Sequence, residues 1–113
     1  MTRKTRVYVA GPYSRGDVAT NVHDAIDAGE SLLRAGFAPY VPHLTHFWHM
    51  FYPQRWQVWI DHNLEWLRAC DVVLRLFGES KGADIEVAEA KRLGIKVFED
   101  IDDVLGMPRE VEA

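Results

Sequence analysis

The chain has 113 residues, of which 48% are hydrophobic, and its formal net charge is −4 at pH 7. This length suits a single domain over residues 1–113, and the apolar content suffices for one hydrophobic core. The negative charge argues against a groove for a nucleic acid polymer, although one or two basic side chains would still bind a small phosphorylated ligand.

Two features of the sequence bear on its cellular compartment. Cys70 is the only cysteine, so no internal disulfide can form and a reducing compartment is expected. The apolar run at residues 7–10 is too short for a signal peptide or a membrane span. We therefore expect a cytoplasmic protein without a membrane partner.

Short apolar runs alternate with helical periods along the whole chain. The first helical period has Asn21 or Thr20 available as its cap and Gly36 as its stop signal. In chain order, the pattern predicts a strand at residues 6–10, a helix from residue 21 to Gly36, a strand at 37–41, a long loop at 43–55, a helix from about 54 to 69, a strand at 71–77, a helix from 83 to 93, a strand at 95–98 and a helical turn at 101–105.

Alternating strands and helices predict a doubly wound α/β sandwich of three layers, with a parallel sheet of about four strands. The natural order for four such strands is 2-1-3-4, in which the chain reverses direction between the first and third strands. Ligands of open α/β sheets bind outside the carboxyl ends of the strands at such a switch point. The loops predicted there are residues 11–17 and 78–82, so we expect the ligand between them.

The first of these loops reads GPYSRGD. Gly11 and Gly16 permit close approach of a ligand to the backbone. The Ser14 hydroxyl and the Arg15 guanidinium are both suited to a phosphate group. The loop is not a P-loop, because the Lys-Ser/Thr pair after the second glycine is missing. A plain solvated turn is the alternative interpretation.

The second loop leads into a helix and reads FGESKGADIE. Ser80 and the free amides near Gly82 would face an anion beside the helix N-terminus. Glu86 follows in the first helical turns, where its neighbours Gly82, Ala83 and Ala90 are small and uncharged. Such a carboxylate can lie in a cleft and act as a nucleophile or base, or it can simply complement the helix dipole. Both interpretations stay open.

Tyr8 lies in the middle of the first predicted strand, two residues before the first loop. Its hydroxyl could reach a carboxylate arriving from the loop after the third strand. A core aromatic residue is the alternative.

Histidines and aromatic residues crowd the segment between the second strand and the next helix. His43, His46 and His49 form an H-x2-H-x2-H run, but without cysteine support we favour hydrogen bonding or stacking against a base over zinc. We expect no metal and no cofactor. The aromatic residues should line a base pocket, a subunit interface or both; they are Phe47, Trp48, Phe51, Tyr52, Trp56 and Trp59.

Three segments carry a resemblance to a known family: VYVAGPYSRGD, HNLEWLRACDVVL and SKGADIEVAEAKRLGIKVF. In this order they resemble the nucleoside 2-deoxyribosyltransferase superfamily, which includes the 2′-deoxynucleoside 5′-monophosphate N-hydrolases. The chain looks most similar to a compact phage and bacterial branch. The resemblance covers roughly residues 6–98, and its last segment is the most specific.

The resemblance implies that Glu86 is a nucleophile that attacks the anomeric carbon and forms a glycosyl-enzyme intermediate. It implies that Tyr8 orients this carboxylate. Ser80, six residues before Glu86, is similar to the serine that contacts phosphate in the monophosphate hydrolases. Together with the loop residues Ser14, Arg15 and Gly16, Ser80 favours a 5′-monophosphate over a free nucleoside.

One position departs from the family pattern. Where the family usually has an aspartate that acts on the base or leaving group, this chain has Asn63. Asparagine forms hydrogen bonds but supplies no proton as an acid. Asp61 would point elsewhere on the helix, whereas Asp84 lies near Glu86 in sequence and could serve instead.

We therefore expect an N-glycosidase that cleaves the base–sugar bond of a nucleoside or deoxynucleoside 5′-monophosphate through Glu86. The candidate binding residues are Gly11, Ser14, Arg15, Gly16, His43, Ser80 and Gly82, and the candidate catalytic residues are Glu86, Tyr8, Asn63 and Asp84. The alternatives are a 2-deoxyribosyltransferase, a catalytically weak nucleotide-binding module and an oligomeric interaction protein. The resemblance also implies a homodimer or a higher homo-oligomer.

Overall fold

The computed structural model describes residues 1–113. Its strands are β1 (Thr2–Lys4), β2 (Arg6–Ala10), β3 (Ala38–Tyr40), β4 (Val72–Arg75), β5 (Lys96–Phe98) and β6 (Glu110–Glu112). Its helices are α1 (Val18–Arg34), α2 (Thr45–Phe51), α3 (Trp56–Leu67), α4 (Lys81–Arg92) and α5 (Ile101–Leu105), with a 3-10 turn at Pro42–Leu44 before α2.

The central sheet has four parallel strands in the order β3-β2-β4-β5. Counted along the chain, this is the predicted 2-1-3-4 order, so the doubly wound fold class is confirmed. The chain reverses its direction of travel beside β2, and the loops that follow β2 and β4 therefore meet at one edge of the sheet.

Both faces of the sheet are covered, because successive side chains of a strand point to opposite faces. Val7 and Val9 pack with α1 and α5 on one face, whereas Tyr8 and Ala10 pack with α3 and α4 on the other. All four side chains are fully buried. This explains why β2 reads as a continuous apolar run rather than as an alternating one.

Helix α1 begins earlier than the sequence predicts. Its cap is Asp17, whose carboxylate accepts a hydrogen bond from the backbone N–H of Thr20 at 3.1 Å. The predicted cap Asn21 instead donates to the carbonyls of Tyr13 and Arg15 at 2.8 and 2.7 Å and so shapes the loop before the helix. The predicted stop is confirmed, because Gly36 follows the helix with a φ of +101°.

The long loop predicted at residues 43–55 is wrong, since a 3-10 turn and α2 occupy most of it. Helix α2 has no buried residue, so it lacks the apolar stripe that identifies a helix in a sequence. Helix α4 also begins earlier than predicted, at Lys81, because the Ser80 hydroxyl caps it by accepting the N–H of Ala83 at 3.1 Å.

A second, two-stranded sheet was not predicted. Strand β1 pairs antiparallel with β6, with Thr2 opposite Glu112. Next to it, the N–H of Thr5 donates to the carbonyl of Arg109 at 2.8 Å. These short strands are mostly polar, and only the tertiary structure brings the two ends of the chain together. Among the helices, none is long and apolar enough to cross a membrane.

Candidate active site

A cleft of about 450 Å³ opens where the loops after β2 and β4 meet α2 and α3. Most of the predicted site residues line it, although the sequence places them in four separate segments. They are Gly11, Ser14, Arg15, His43, Asn63, Ser80, Gly82 and Glu86. Tyr8 lies directly behind the wall of the cleft, in the core.

Glu86 carries the only carboxylate in the lining of this cleft. Its side chain is 5% exposed, and its neighbours on the same face of α4, Ala83 and Ala90, are buried against the sheet. These small side chains let the helix approach the sheet closely enough for the carboxylate to meet strand β2. The fully buried hydroxyl of Tyr8 donates a hydrogen bond to the Glu86 carboxylate.

Burial dominates the electrostatics of this pair. It raises the pKa of Glu86 from 4.5 to about 7, although the Tyr8 hydrogen bond and the positive charge of Arg75 act in the opposite direction. Burial and the nearby carboxylate raise the pKa of Tyr8 well above its usual value, so the phenol keeps its proton and remains a donor. A carboxyl group of this kind can serve as a nucleophile or a base near neutral pH.

A second tyrosine repeats the arrangement on the neighbouring strand. Tyr40 of β3 is the register partner of Tyr8, and the two rings stack with centroids 5.5 Å apart. The Tyr40 hydroxyl donates to Oδ1 of Asn63 at 3.2 Å. Two adjacent strands, β2 and β3, therefore each position one polar side chain of the cleft. Sequence reasoning missed Tyr40, although its place at the end of the second strand was a usable signal.

Cations and a helix N-terminus gather at the opening of the cleft on the side of the two loops. Ser14, Arg15, Ser80 and Lys81 all line it there. Arg15 pairs with Glu79 at 2.8 Å, but both side chains are about three-quarters exposed, so the pair is weak and the guanidinium is free to turn toward a ligand. Lys81 was not singled out from the sequence; its position directly after Ser80, at the start of α4, was the signal.

His43 contacts the protein backbone rather than open space. Its Nε2 atom lies 3.2 Å from the carbonyl oxygen of Gly11 and 2.9 Å from that of Pro12, so this nitrogen carries the proton and donates. Its Nδ1 atom is buried without a partner. Burial lowers the pKa of His43, which keeps the ring neutral. The ring thus supports the loop after β2 and offers neither nitrogen to a ligand.

Part of the cleft lining is aromatic. Trp56 and Trp59 of α3 line the cleft. His46 and His49 also line it, and each has its Nδ1 atom engaged, by Tyr13 at 2.6 Å and by Trp59 Nε1 at 2.9 Å. The remaining aromatic side chains of this segment lie outside the lining and are about half to four-fifths exposed; they are Phe47, Trp48, Phe51 and Tyr52.

Two predicted site residues lie elsewhere. Asp84 is exposed, and it pairs with Arg75 at 3.1 Å outside the cleft. One position in a helix turns a side chain by about 100°, so Asp84 and Glu86 leave α4 on different sides. Gly16 has a φ of +86° and serves the turn of its loop without lining the cleft. The three neighbouring histidines form no metal site, and no group of His, Cys, Asp or Glu side chains elsewhere does.

Comparison with known proteins places this geometry in a fold and a family. The chain is similar to the solved structure of a 2-deoxyribosyltransferase from the psychrotolerant bacterium Bacillus psychrosaccharolyticus, with a TM-score of 0.61 and 16% sequence identity over 92% of this chain and 93% of that one. This likeness shows a shared fold. No curated protein matches the chain. The family model for a domain of unknown function, DUF7768, matches residues 5–100, and the chain therefore belongs to the DUF7768 family.

Proposed function

We propose that this protein is an N-glycosidase that cleaves the base–sugar bond of a nucleoside or deoxynucleoside 5′-monophosphate, working as a single domain. The observation that carries the proposal is the buried Glu86 carboxylate, held by the Tyr8 hydroxyl at the wall of a cleft. A glutamate that served only to complement the dipole of α4 would gain nothing from burial beside Tyr8. Burial with a single donor is costly for a carboxylate, which is typical of a functional site.

The reaction that suits this carboxylate has two steps. In the first, an oxygen of Glu86 forms a bond to the anomeric carbon while the bond to the base breaks, and the base leaves with that electron pair and takes a proton from water. In the second, a water oxygen bonds to the anomeric carbon, the ester bond to Glu86 breaks, and the carboxylate is restored as the water proton passes to solvent. Tyr8 orients the nucleophile throughout.

The surroundings of the cleft support a monophosphate substrate. Ser80 and Lys81 lie at the N-terminus of α4, where unpaired amides and the helix dipole favour an anion. Ser14 and Arg15 extend the same side of the cleft from the other loop. Trp56 and Trp59 provide the aromatic surface on which a base stacks. The nucleotide would then lie with its sugar against Glu86.

Two alternatives rest on specific observations. The similar solved structure is that of a 2-deoxyribosyltransferase, and a second base in place of water would turn the same intermediate into transfer. Asn63, which has no acidic proton to give, favours a weakly catalytic nucleotide-binding module. Cytoplasmic location and homo-oligomer formation through the exposed aromatic residues of α2 stay predictions.

The test is release of free base from a panel of nucleoside and deoxynucleoside monophosphates, followed by chromatography. Glu86→Gln should lower the rate roughly a thousandfold or more, because the amide is not a nucleophile. The matched control is Glu89→Gln on the same helix, where the carboxylate pairs with Arg68 and Arg92 outside the cleft. This variant should keep the wild-type rate.

Other outcomes of this experiment would support one of the alternative functions or exclude Glu86 as the nucleophile. Adding a free base that then appears in a new nucleotide would identify a transferase. Binding of a nucleotide without any release, in wild type and Glu86→Gln alike, would establish the binding module. Equal activity in wild type and Glu86→Gln would exclude Glu86 as the nucleophile.

A further inference from the structure

The hydrogen bonds of His49 determine which of its ring nitrogens carries the proton. Its Nδ1 atom lies 2.9 Å from the indole Nε1 of Trp59 and 3.1 Å from the backbone nitrogen of Gln54. Both of these groups can only donate, so Nδ1 accepts and the proton of the neutral ring lies on Nε2. Nε2 has no protein partner and is not buried, and His49 lines the cleft. His49 therefore offers the cleft a donor.

Asn63 offers a donor for an independent reason. Tyr40 keeps its phenolic proton, because burial raises its pKa to about 12, and it donates to Oδ1 of Asn63. The amide nitrogen Nδ2 then remains, and it too lacks a partner without being buried. Asn63 is only 7% exposed, and it lines the cleft together with Glu86. Its free N–H groups are thus held at the wall of the cleft by the partly buried Tyr40.

Three other polar side chains of the cleft lining, Gln54, Tyr13 and His46, are not restricted to accepting hydrogen bonds from a base. Gln54 is exposed at the mouth of the cleft, and its amide donates or accepts equally well. Tyr13 and His46 are partners of one another at 2.6 Å, and a hydroxyl serves either role. The two side chains of the lining whose roles are assigned in this way, His49 and Asn63, are both donors.

From this polarity we infer that His49 and Asn63 form a base subsite that selects bases presenting carbonyl and ring-nitrogen acceptors over bases presenting an exocyclic amino group. An amino group aimed at these N–H groups would leave donors facing donors, whereas a carbonyl oxygen would satisfy them. In a purine that carries an oxygen at position 6, the edge formed by N7 and this oxygen offers two acceptors. In adenine the same edge offers one acceptor, N7, and one donor, the 6-amino group. The inference rests on the proposed nucleotide site.

A direct test compares two nucleotides that differ in this feature, 2′-deoxyinosine 5′-monophosphate and 2′-deoxyadenosine 5′-monophosphate. Their dissociation constants would be measured by calorimetry on Glu86→Gln protein, so that turnover does not interfere. We expect the oxo nucleotide to bind at least about tenfold more tightly. Equal affinities, or tighter binding of the amino nucleotide, would overturn the inference and leave the proposed function standing. Binding of neither nucleotide would overturn the inference, and the base-release panel would then decide the proposed function separately.

Two further variants in the Glu86→Gln background assign the selectivity to its residues. Asn63→Asp replaces the donor by an acceptor of the same shape, so the affinity ratio should fall toward one or reverse, whatever the added charge does to both nucleotides. His49→Asn keeps an acceptor for Trp59 and Gln54 but removes the Nε2 donor, so the ratio should fall as well. A ratio unchanged in both variants, with folding verified by circular dichroism, would contradict the assignment.

Discussion

The two walls of the cleft differ in how firmly the fold holds them. Beside the sheet, Glu86 and Asn63 are 5 and 7% exposed, and each accepts a hydrogen bond from a tyrosine hydroxyl of β2 or β3. The part of the lining that α2 contributes, Thr45, His46 and His49, belongs to a helix that has no buried residue. The proposed nucleophile thus lies in the core, whereas the aromatic side chains of α2 lie outside it.

The difference has a physical basis. The pKa of Glu86 is raised mainly because burial excludes water, which the close approach of α4 to the sheet provides. A surface for a base needs aromatic area and a few donors, which a helix on the outside supplies. Segments with few buried contacts also open most readily, so we expect α2 to move more than α4.

Among changes that leave the nucleophile in place, the largest effect is expected from removing the Tyr8 hydroxyl. Tyr8→Phe keeps the ring stacked on Tyr40 but removes the hydrogen bond that stabilises the charged carboxylate of Glu86. We expect base release at pH 7 to fall roughly 10- to 100-fold. The pKa of Glu86 should rise further, so the acid limb of kcat/KM against pH should move to higher pH.

Tyr40→Phe is the matched control for that experiment. It removes a hydroxyl at the same level of the neighbouring strand, but one that is bonded to Asn63 rather than to Glu86. The acid limb should therefore stay where it is in wild type. A shift as large as that of Tyr8→Phe would mean that general loosening of the sheet end, and not the specific hydrogen bond, controls the carboxylate.

The second prediction concerns the free energy of unfolding as a function of pH. The folded-state pKa of Glu86, about 7, lies above its ordinary value of 4.5, so between these values the folded protein binds a proton that the unfolded chain has lost. This contribution favours folding fully below about pH 4.5 and is lost as the pH rises through 7. Glu86→Gln should therefore be the more stable protein at pH 8, by up to on the order of 3 kcal/mol.

Urea unfolding at pH 5 and pH 8 measures the difference in the free energy of unfolding between wild type and Glu86→Gln. Glu89 provides a control, because its pKa is shifted in the opposite direction. The guanidinium groups of Arg92 and Arg68 lower the pKa of Glu89 to about 2. Its contribution is present above its unfolded pKa and is lost as the pH falls through 2, so Glu89→Gln should be less stable than wild type at both pH values. A Glu86→Gln protein no more stable at pH 8 than wild type would show that the carboxylate is not desolvated.

The smallest effect is expected on the aromatic wall. Trp56→Ala removes a ring that lines the cleft and carries Lys81 5.3 Å above its centre, and nucleotide affinity should fall roughly fivefold to tenfold. Stability should hardly change, because Trp56 is 45% exposed. Phe51→Ala, outside the lining, should leave the affinity at its wild-type value, as calorimetry would show. Equal losses in both variants would mean that the exposed aromatic residues act together as another kind of surface.

Local patterns predicted much of the fold and part of the site. Strands β2 to β5 and the 2-1-3-4 order followed from apolar runs alternating with helical periods, because a parallel sheet buried on both faces needs such runs. Helix α2 escaped prediction because none of its residues is buried. Asp84 was a plausible member of the site by its distance along the chain, but the turn of the helix carries it to the other side.

The alternation of apolar runs and helical periods was enough to predict the order of the strands and the two loops between which the cleft opens, since handedness and the switch-point rule leave few other arrangements for alternating elements. The part that each side chain plays in the cleft depends on packing, which no local pattern reveals. Burial distinguishes Glu86 from Glu89 on one helix, and the register of β2 and β3 places Tyr8 beside Tyr40, each with its own cleft residue. Desolvation and hydrogen-bond partners are properties of packing, and residues distant in the chain supply them.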